Sequence, residues 1–467
     1  MKKFLNIFCT SMLAALILIS SAHAQNYSTK TPYPEGGFDT IDQIKGYTPV
    51  FINHVGRHGS RYQSKPKNDE EFLSLSKRYS FKKNNSLGDT VSNVSTFIDK
   101  KSDKYGQLST LGITEHKSIG KRMKGNFKDL FGPKKRIIAY ATFKKRAQDS
   151  RKAFLDKKGL GHSALQINFC EGKDPILRFF NLCTKYKEYF KKYKDWEAYT
   201  WNKKKECFDN PAKCWGKAIF ENHEDVPPEH RFFASKHLYE LISINRISGS
   251  NIVIGKDFTS NNDVINYFGG LSDLEAFYGK GPGAEGLNRF VYFQAFPLLC
   301  EFLRTSEKAI SQGKQGNTVA ILRFAHAETI IPFAALLGIE GASKEESTPE
   351  SVKWKAAEIS PMAANIQWIV YEKDKAYFIR IMLNEKTKKI YGENGKSKEY
   401  DEKAGLYKWE TLKTIFIEKM KSKEIFNTDE VNTFNFDKID EKFMDNAVYN
   451  DLIEEYKDML PYLKSHF

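Results

Sequence analysis

The sequence predicts an α/β core interrupted by an inserted, mainly α-helical cap. Two observations carry this. Strand-like apolar runs followed by helical patterns occur near both ends of the chain. Between them, from about Pro175 to Leu299, tryptophans, tyrosines and lysines mix over helical-looking stretches such as "KYKEYFKKYKDWEAYTW" and "FFASKHLYELISINRI". The 467 residues suffice for a large core that needs no staples. The expected division is a leader at 1–24, core at 25–160, cap at 161–300 and core again at 301–467.

The leader has a positive start at Lys2 and Lys3, an apolar run from Leu13 to Ile19, and the small-x-small site Ala22-His23-Ala24. It reads as a secretory signal removed before Gln25 or close to it, which makes the protein periplasmic or secreted. The apolar run is short of a bilayer span, and no second membrane segment follows, so no stable membrane anchor is expected.

"PVFINHV" is the first strand, apolar enough to be buried on both faces. "GQLSTLGITEHKSIGKRMKGNF" is a turn and a helix, which Thr110 or Ser109 can cap, with Leu111, Ile119 and Met123 near helical spacing. "RIIAYAT" and "ALQINF" are further strands before the cap. After it, "NTVAILRFAHAE" is a strand running into a capped helix. "NIQWIVYEKDKAYFIRIMLNE" is two strands joined by a short charged turn, Glu372 to Lys375.

A net charge of +15 suits a polyanionic partner or a solvated lysine-rich surface. Zinc-finger spacing, RNP-like aromatic motifs and basic heptads are all missing, so no nucleic-acid partner is expected. Five cysteines follow the leader: Cys170, Cys183, Cys207, Cys214 and Cys300. None has metal-ligand spacing, and a disulfide could close the turn-like "FDNPAK" between Cys207 and Cys214.

The chemistry starts at "RHGSR", where the first strand ends. Ligands of open α/β sheets bind at the carboxyl ends of strands. Arg57 and Arg61 offer planar donor forks suited to phosphate oxygens, and a neutral His58 can attack phosphorus. Gly56 and Gly59 let the backbone approach a ligand closely. A later strand ends in the same way, at His326 and Glu328. His326 can donate to a phosphoryl oxygen, and a protonated Glu328 can supply a leaving alcohol with its proton. A third strand end supplies cations, of which Arg146 is the candidate. Arg178 in "ILRFF", together with Lys280 and Arg289 flanking "GPGAEGLN", are further candidates for binding substrate. His54 on the first strand reads as a core histidine.

Arg57-His58-Gly59-x-Arg61 with a distant His326-Ala327-Glu328 resembles the histidine phosphatase superfamily, acid-phosphatase branch. The His-Ala-Glu form is similar to the multiple inositol polyphosphate phosphatases. "GQLSTLGITEH", "ILRFFNLCTKY", "SPMAANIQWIVYE" and "IRIMLNE" extend the resemblance over most of the chain. Gln63 departs from it, standing where the family commonly has proline. The resemblance implies a three-layer αβα core with a mixed sheet and a helical cap. It also implies a covalent phosphohistidine mechanism without a metal or other cofactor. His58 would be the nucleophile, Arg57, Arg61, Arg146 and His326 would hold phosphate, and Glu328 would be the acid. Phytate (inositol hexakisphosphate) and lower inositol phosphates are the expected substrates. A histidine acid phosphatase acting on smaller esters such as bisphosphoglycerate is the alternative, and a polyanion-binding protein without turnover is a third reading.

Overall fold

Strand β1 (Thr48–Arg57) lies in the middle of the sheet, buried from Phe51 to its end, as its apolar run requires. The structure, a computed structural model, describes residues 25–39, 44–82, 87–169, 174, 176–181, 202, 204–208, 210, 213–285, 289–313, 316–391 and 400–421. The leader, Cys170, Cys183 and the "KYKEYFKKYKDWEAYT" part of the cap lie outside the described residues.

On one side of β1 stand β4 (Thr318–Ala325), β2 (Arg136–Ala141) and β3 (Leu165–Asn168), all parallel. On the other stand β5 (Asn365–Lys373) and β6 (Ala376–Leu383), antiparallel. Three short strands, β7 (Lys386–Thr387), β8 (Tyr400–Asp401) and β9 (Leu406–Lys408), finish that edge. The β5–β6 turn is tighter than the charged run suggests. Only Asp374 and Lys375 turn, both at positive φ (49° and 63°), as a two-residue hairpin loop matched to strand twist requires.

The helices of five residues or more, among those described, are α1 (Lys67–Arg78), α2 (Leu87–Lys101), α3 (Thr110–Asn126), α4 (Lys145–Leu155), α5 (Pro228–Ser248), α6 (Asn262–Lys280), α7 (Arg289–Phe293), α8 (Phe296–Gln312), α9 (Ala327–Leu336) and α10 (Trp409–Lys421). Alternating residues of β1 serve two apolar layers. Ile52 joins Leu322 and Phe324 of β4 beneath Ile119 and Met123 of α3 and Phe154 of α4. Phe51 and Val55 face the opposite layer, with Phe302 of α8, Phe333 of α9 and Phe416 of α10. This is the three-layer αβα core with a mixed sheet. Ser109 caps α3, its Oγ accepting from Gly112 N at 3.2 Å.

The helical part draws on two stretches of chain. Phe72 of α1 and Val94 and Phe97 of α2 share one cluster with Leu238 and Ile242 of α5 and Phe268 of α6. Cys207 and Cys214 are disulfide-bonded beside this cluster, and Cys300 is a free buried thiol.

A buried polar network fastens β1 and β4 to α8. Arg323 donates to Glu301 Oε1 at 2.8 Å and to Asn53 Oδ1 at 2.9 Å, while Arg304 donates to Glu301 Oε2 at 2.9 Å. Asn53 in turn donates to Phe302 O and Ser306 Oγ. Removing the carboxylate strands Arg323, which is almost wholly buried. Glu301→Ala is therefore expected to cost about 3–5 kcal/mol, read as a lower denaturation midpoint; a change within about 0.5 kcal/mol would show that the network does not anchor the sheet.

Candidate active site

Three parallel strands end within a residue of one another. Arg57 of β1 pairs with Ala325 of β4, and Ala141 of β2 with Phe324. The residues that follow, His58, His326 and Thr142, thus emerge side by side at the carboxyl edge of the sheet. His58 N donates to Ala325 O at 3.0 Å, and Thr142 N to Phe324 O at 3.1 Å. The His58 and His326 rings lie 5.5 Å apart between centroids.

The tautomer of His58 follows from one contact. Its Nδ1 is 2.9 Å from Gly59 O, and a carbonyl only accepts, so Nδ1 carries the proton and Nε2 keeps its lone pair. Burial, then the charges of Arg146, Arg57 and Arg61 and of His326, hold the imidazole neutral, well below its usual pKa. His326 is likewise pushed down by burial and then by Arg146. Its Nε2 lies 2.9 Å from Thr142 Oγ1 and 3.3 Å from Arg178 Nη1.

The arginines converge on these rings. Arg57 Nη1 donates to Thr29 O at 2.6 Å and to Ser360 O at 2.7 Å, which fixes the guanidinium from two sides. Arg61 Nη1 donates to Tyr62 O at 2.7 Å. Arg146 is the second residue of α4, directly after β2. The Nε atoms of Arg57, Arg61 and Arg146 are buried donors without an acceptor. Burial lowers Arg57 to about 10, and burial with Arg146 and Arg57 lowers Arg61 to about 9. An anion among them would gain charge-assisted hydrogen bonds and relieve mutual repulsion.

Glu328 lies in the first turn of α9 and Lys280 ends α6. Lys280 Nζ donates to Glu328 Oε1 at 2.8 Å. Burial works against charge on Glu328, but Lys280, with a further contribution from His326, holds the carboxyl well below the usual range. The leaving-group role asks for a protonated Glu328, and here the pair keeps it ionised. Arg178 reaches the site and stacks its guanidinium over Phe143 and Phe180. Arg289 opens α7, and its side chain lies outside the described residues.

Gly56 and Gly59 are each pressed against protein atoms. A Cβ on Gly56 would lie 2.9 Å from the His54 ring, and one on Gly59 would lie 2.6 Å from Gly112 O. Gly59 lets the loop interlock with the start of α3, while Gly56 makes room for the His54 ring. The same helix supports it further. Ser60 N and Oγ both donate to Glu115 at 2.7 Å, and His116 Nε2 donates to Arg57 O at 3.1 Å. Ser150 of α4 accepts from Gly59 N at 3.1 Å.

The comparisons with known proteins place the fold. The model of the histidine phosphatase superfamily (branch 2) matches residues 50–384. The chain belongs to that superfamily. The multiple inositol polyphosphate phosphatase of Bifidobacterium longum, solved in complex with inositol hexasulfate, is 22% identical. It superposes with a TM-score of 0.68 over 84% of this chain and 97% of that one. Its phosphate complex gives 0.67 at the same identity and coverage. The phytase from D. castellii is 13% identical, with a TM-score of 0.58 over 84% of both chains. These likenesses carry the fold. No curated protein matches the chain significantly.

Several residues around this histidine phosphatase site escaped the sequence reading. Thr142, Glu115, His116 and Ser150 hold the candidate residues from α3, α4 and the end of β2. From the N-terminal segment, Thr29 fixes Arg57, and Lys30 pairs with Glu240 of α5 at 3.6 Å, close enough to Arg61 to feel its charge. Only the strand-end position of Thr142 could have been found by pattern.

Beneath the site, His54 packs against Phe154 and Phe324, and its Nδ1 has no partner. It is the core histidine that the sequence suggests. Burial is the main force lowering both His54 and His116 to about 3, from 6.5. An unfolded chain takes up these protons near pH 6.5 and the folded chain only near 3. Stability is therefore full above about pH 6.5 and falls as pH drops through that window. Unfolding midpoints measured across it are expected to decline less steeply in His54→Phe than in the parent; identical slopes would refute the assignment.

Proposed function

We propose that the protein is a phosphomonoesterase that hydrolyses phytate and lower inositol polyphosphates through a covalent phosphohistidine intermediate. The observation that carries this is His58, neutral, with Nδ1 tied to Gly59 O, among three arginines whose buried Nε donors have no acceptor. In this reading Arg57, Arg61, Arg146 and His326, with Arg178, hold the reacting phosphate. His58 Nε2 attacks phosphorus as the bond to the inositol oxygen breaks, and Glu328 gives that oxygen its proton. Charge on the equatorial oxygens is stabilised by donors already in place. Water then attacks the phosphohistidine, Glu328 takes its proton, and phosphate leaves.

The substrate class is supported by the B. longum enzyme, whose bound inositol hexasulfate carries six anionic ester groups on the same ring. Among the described residues no cluster of three or more metal-ligating side chains occurs, and the proposed chemistry requires none. Export to the periplasm or beyond goes with this reading. It is supported by the leader-like sequence at 1–24 and by the Cys207–Cys214 disulfide, which suits an oxidising compartment. No helix among the described residues is long and apolar enough to cross a membrane. A core of 25–160 and 301–467 with a cap at 161–300 also belongs to the reading. The packing of α1 and α2 on α5 favours counting them with the cap, and the pairing of β3 with β2 favours counting it with the core.

Purified mature protein is expected to release phosphate from phytate equally with and without chelator, and His58→Ala to lose at least about a thousandfold in kcat. Turnover of small esters with none of phytate would move the protein to the smaller-ester alternative. Silence on every ester would leave a polyanion-binding protein. Glu328→Gln is expected to lose about 10²–10⁴ in kcat on phytate and far less on p-nitrophenyl phosphate, whose leaving group needs no proton. Equal losses on the two would remove Glu328 as the acid.

A further inference from the structure

The residue placed to protonate the leaving group is held in an ion pair by a residue 48 positions away. Lys280 and Glu328 are neither fully buried nor fully exposed, with 30% and 38% of their side chains accessible. Substrate can therefore reach both. The titratable and charged groups facing Glu328, among the described residues, are Lys280 from α6, the His326 ring beside it, Arg57 and Arg61 from the end of β1, and Arg146 from α4. Any reacting phosphate, from any ester, neutralises the arginines. It does nothing for Lys280, which sits on the leaving-group side with Glu328. Only a second anionic group on the leaving alcohol can compete for that ammonium. A phosphate dianion does so well, since it offers more charge and more acceptor oxygens than one carboxylate.

We propose that Lys280 is a specificity-determining residue that holds Glu328 as an ion pair until a phosphate on a neighbouring carbon of the leaving alcohol takes Lys280 over. Polyphosphorylated rings then arm the leaving-group acid, and simple monoesters do not. This rests on the reading of Glu328 as that acid. The proton inventory closes. Glu328, released from Lys280, takes one proton from solvent and passes it to the ester oxygen as the P–O bond breaks and the N–P bond to His58 forms. It regains a proton from the water whose oxygen displaces His58 from phosphorus, and gives that proton back to solvent. The site ends as it began, with one ester bond hydrolysed. Lys280 returns to Glu328 when the polyphosphate departs.

The experiment compares the parent, Lys280→Met and Lys280→Arg on phytate, glycerol 2-phosphate and p-nitrophenyl phosphate, with kcat/KM followed against pH. In Lys280→Met, Glu328 loses the cation that keeps it ionised. Glycerol 2-phosphate turnover is then expected to persist to higher pH, its alkaline limb moving up by about one unit, while phytate loses the contact. The preference for phytate over glycerol 2-phosphate should fall at least about tenfold. Lys280→Arg should retain most of that preference. p-Nitrophenyl phosphate, which needs no acid, reports whether His58 and the fold are intact in each variant. Equal losses on all three esters with an unmoved alkaline limb would overturn the inference and leave Lys280 an ordinary phosphate contact. The parent separates this from the underlying reading: a parent with no phosphatase activity refutes the proposed function itself. A parent active on glycerol 2-phosphate but not on phytate refutes both the phytate assignment and the arming by polyphosphate.

Discussion

Three arginines, one buried and two half-buried with their Nε atoms covered, gather beside two histidines, and none of the three has a carboxylate within salt-bridge distance among the described contacts. That cost governs the architecture around the site, because desolvated cations in company are stable only where geometry prevents their escape. Arg57 is fixed by the carbonyls of Thr29 and Ser360, and Arg61 by its neighbour's carbonyl. The backbone they hang from has little freedom. Gly59 and Gly112 are in contact too close for a side chain, Ser60 is doubly bonded to Glu115, and β1 is paired on both sides from Ile52 to Gly56. Repulsion that cannot relax is held ready for an anion, which is what electrostatic preorganisation means in structural terms.

The parallel register of β1, β4 and β2 explains why the clustered side chains need so little else to meet. With strand ends aligned, residues at 58, 142 and 326 become neighbours through backbone hydrogen bonds alone. The Arg323–Glu301–Asn53 network secures this alignment from below, tying β1 and β4 to one helix. On the opposite face of the sheet, His54 and His116 stay neutral among phenylalanines. They add no charge to the cluster above while keeping the floor dry.

Much of this was legible because its signals are local. A strand-forming run delivering Arg-His-Gly-x-Arg, and another delivering His-Ala-Glu, each state their chemistry within a dozen residues, and the open-sheet rule says where they meet. Lys280 was legible as a cation near the cleft but not as the partner of Glu328, since no sequence rule pairs a helix's last residue with another helix's first turn. Lys30, Thr29 and Glu240 carried no signal, because they matter only through where the N-terminal segment is laid. The glycines were read toward the ligand, whereas their neighbours are protein atoms from α3 and β1. Likewise α1 and α2 were passed over in the sequence, and nothing local in them says which cluster they cover. The "ALQINF" run shows the converse, since its four exposed or half-exposed strand residues join the sheet through backbone pairing that side-chain pattern scarcely records.

The N-terminal segment shows how far the site depends on the whole chain. Asn26 bonds to Asp273 of α6 and packs against Gly269, where a Cβ would strike its backbone at 2.2 Å. A few residues on, Thr29 holds Arg57, and Tyr33 N donates to the Glu115 that braces Ser60. One short stretch thus links α6, the end of β1 and α3, with sequence separations from 28 to 247 residues. Such contacts reward the chain only after the long loops between them have closed. The same dependence explains why a strained site can persist: no element near it can yield without opening contacts in the core and the cap together.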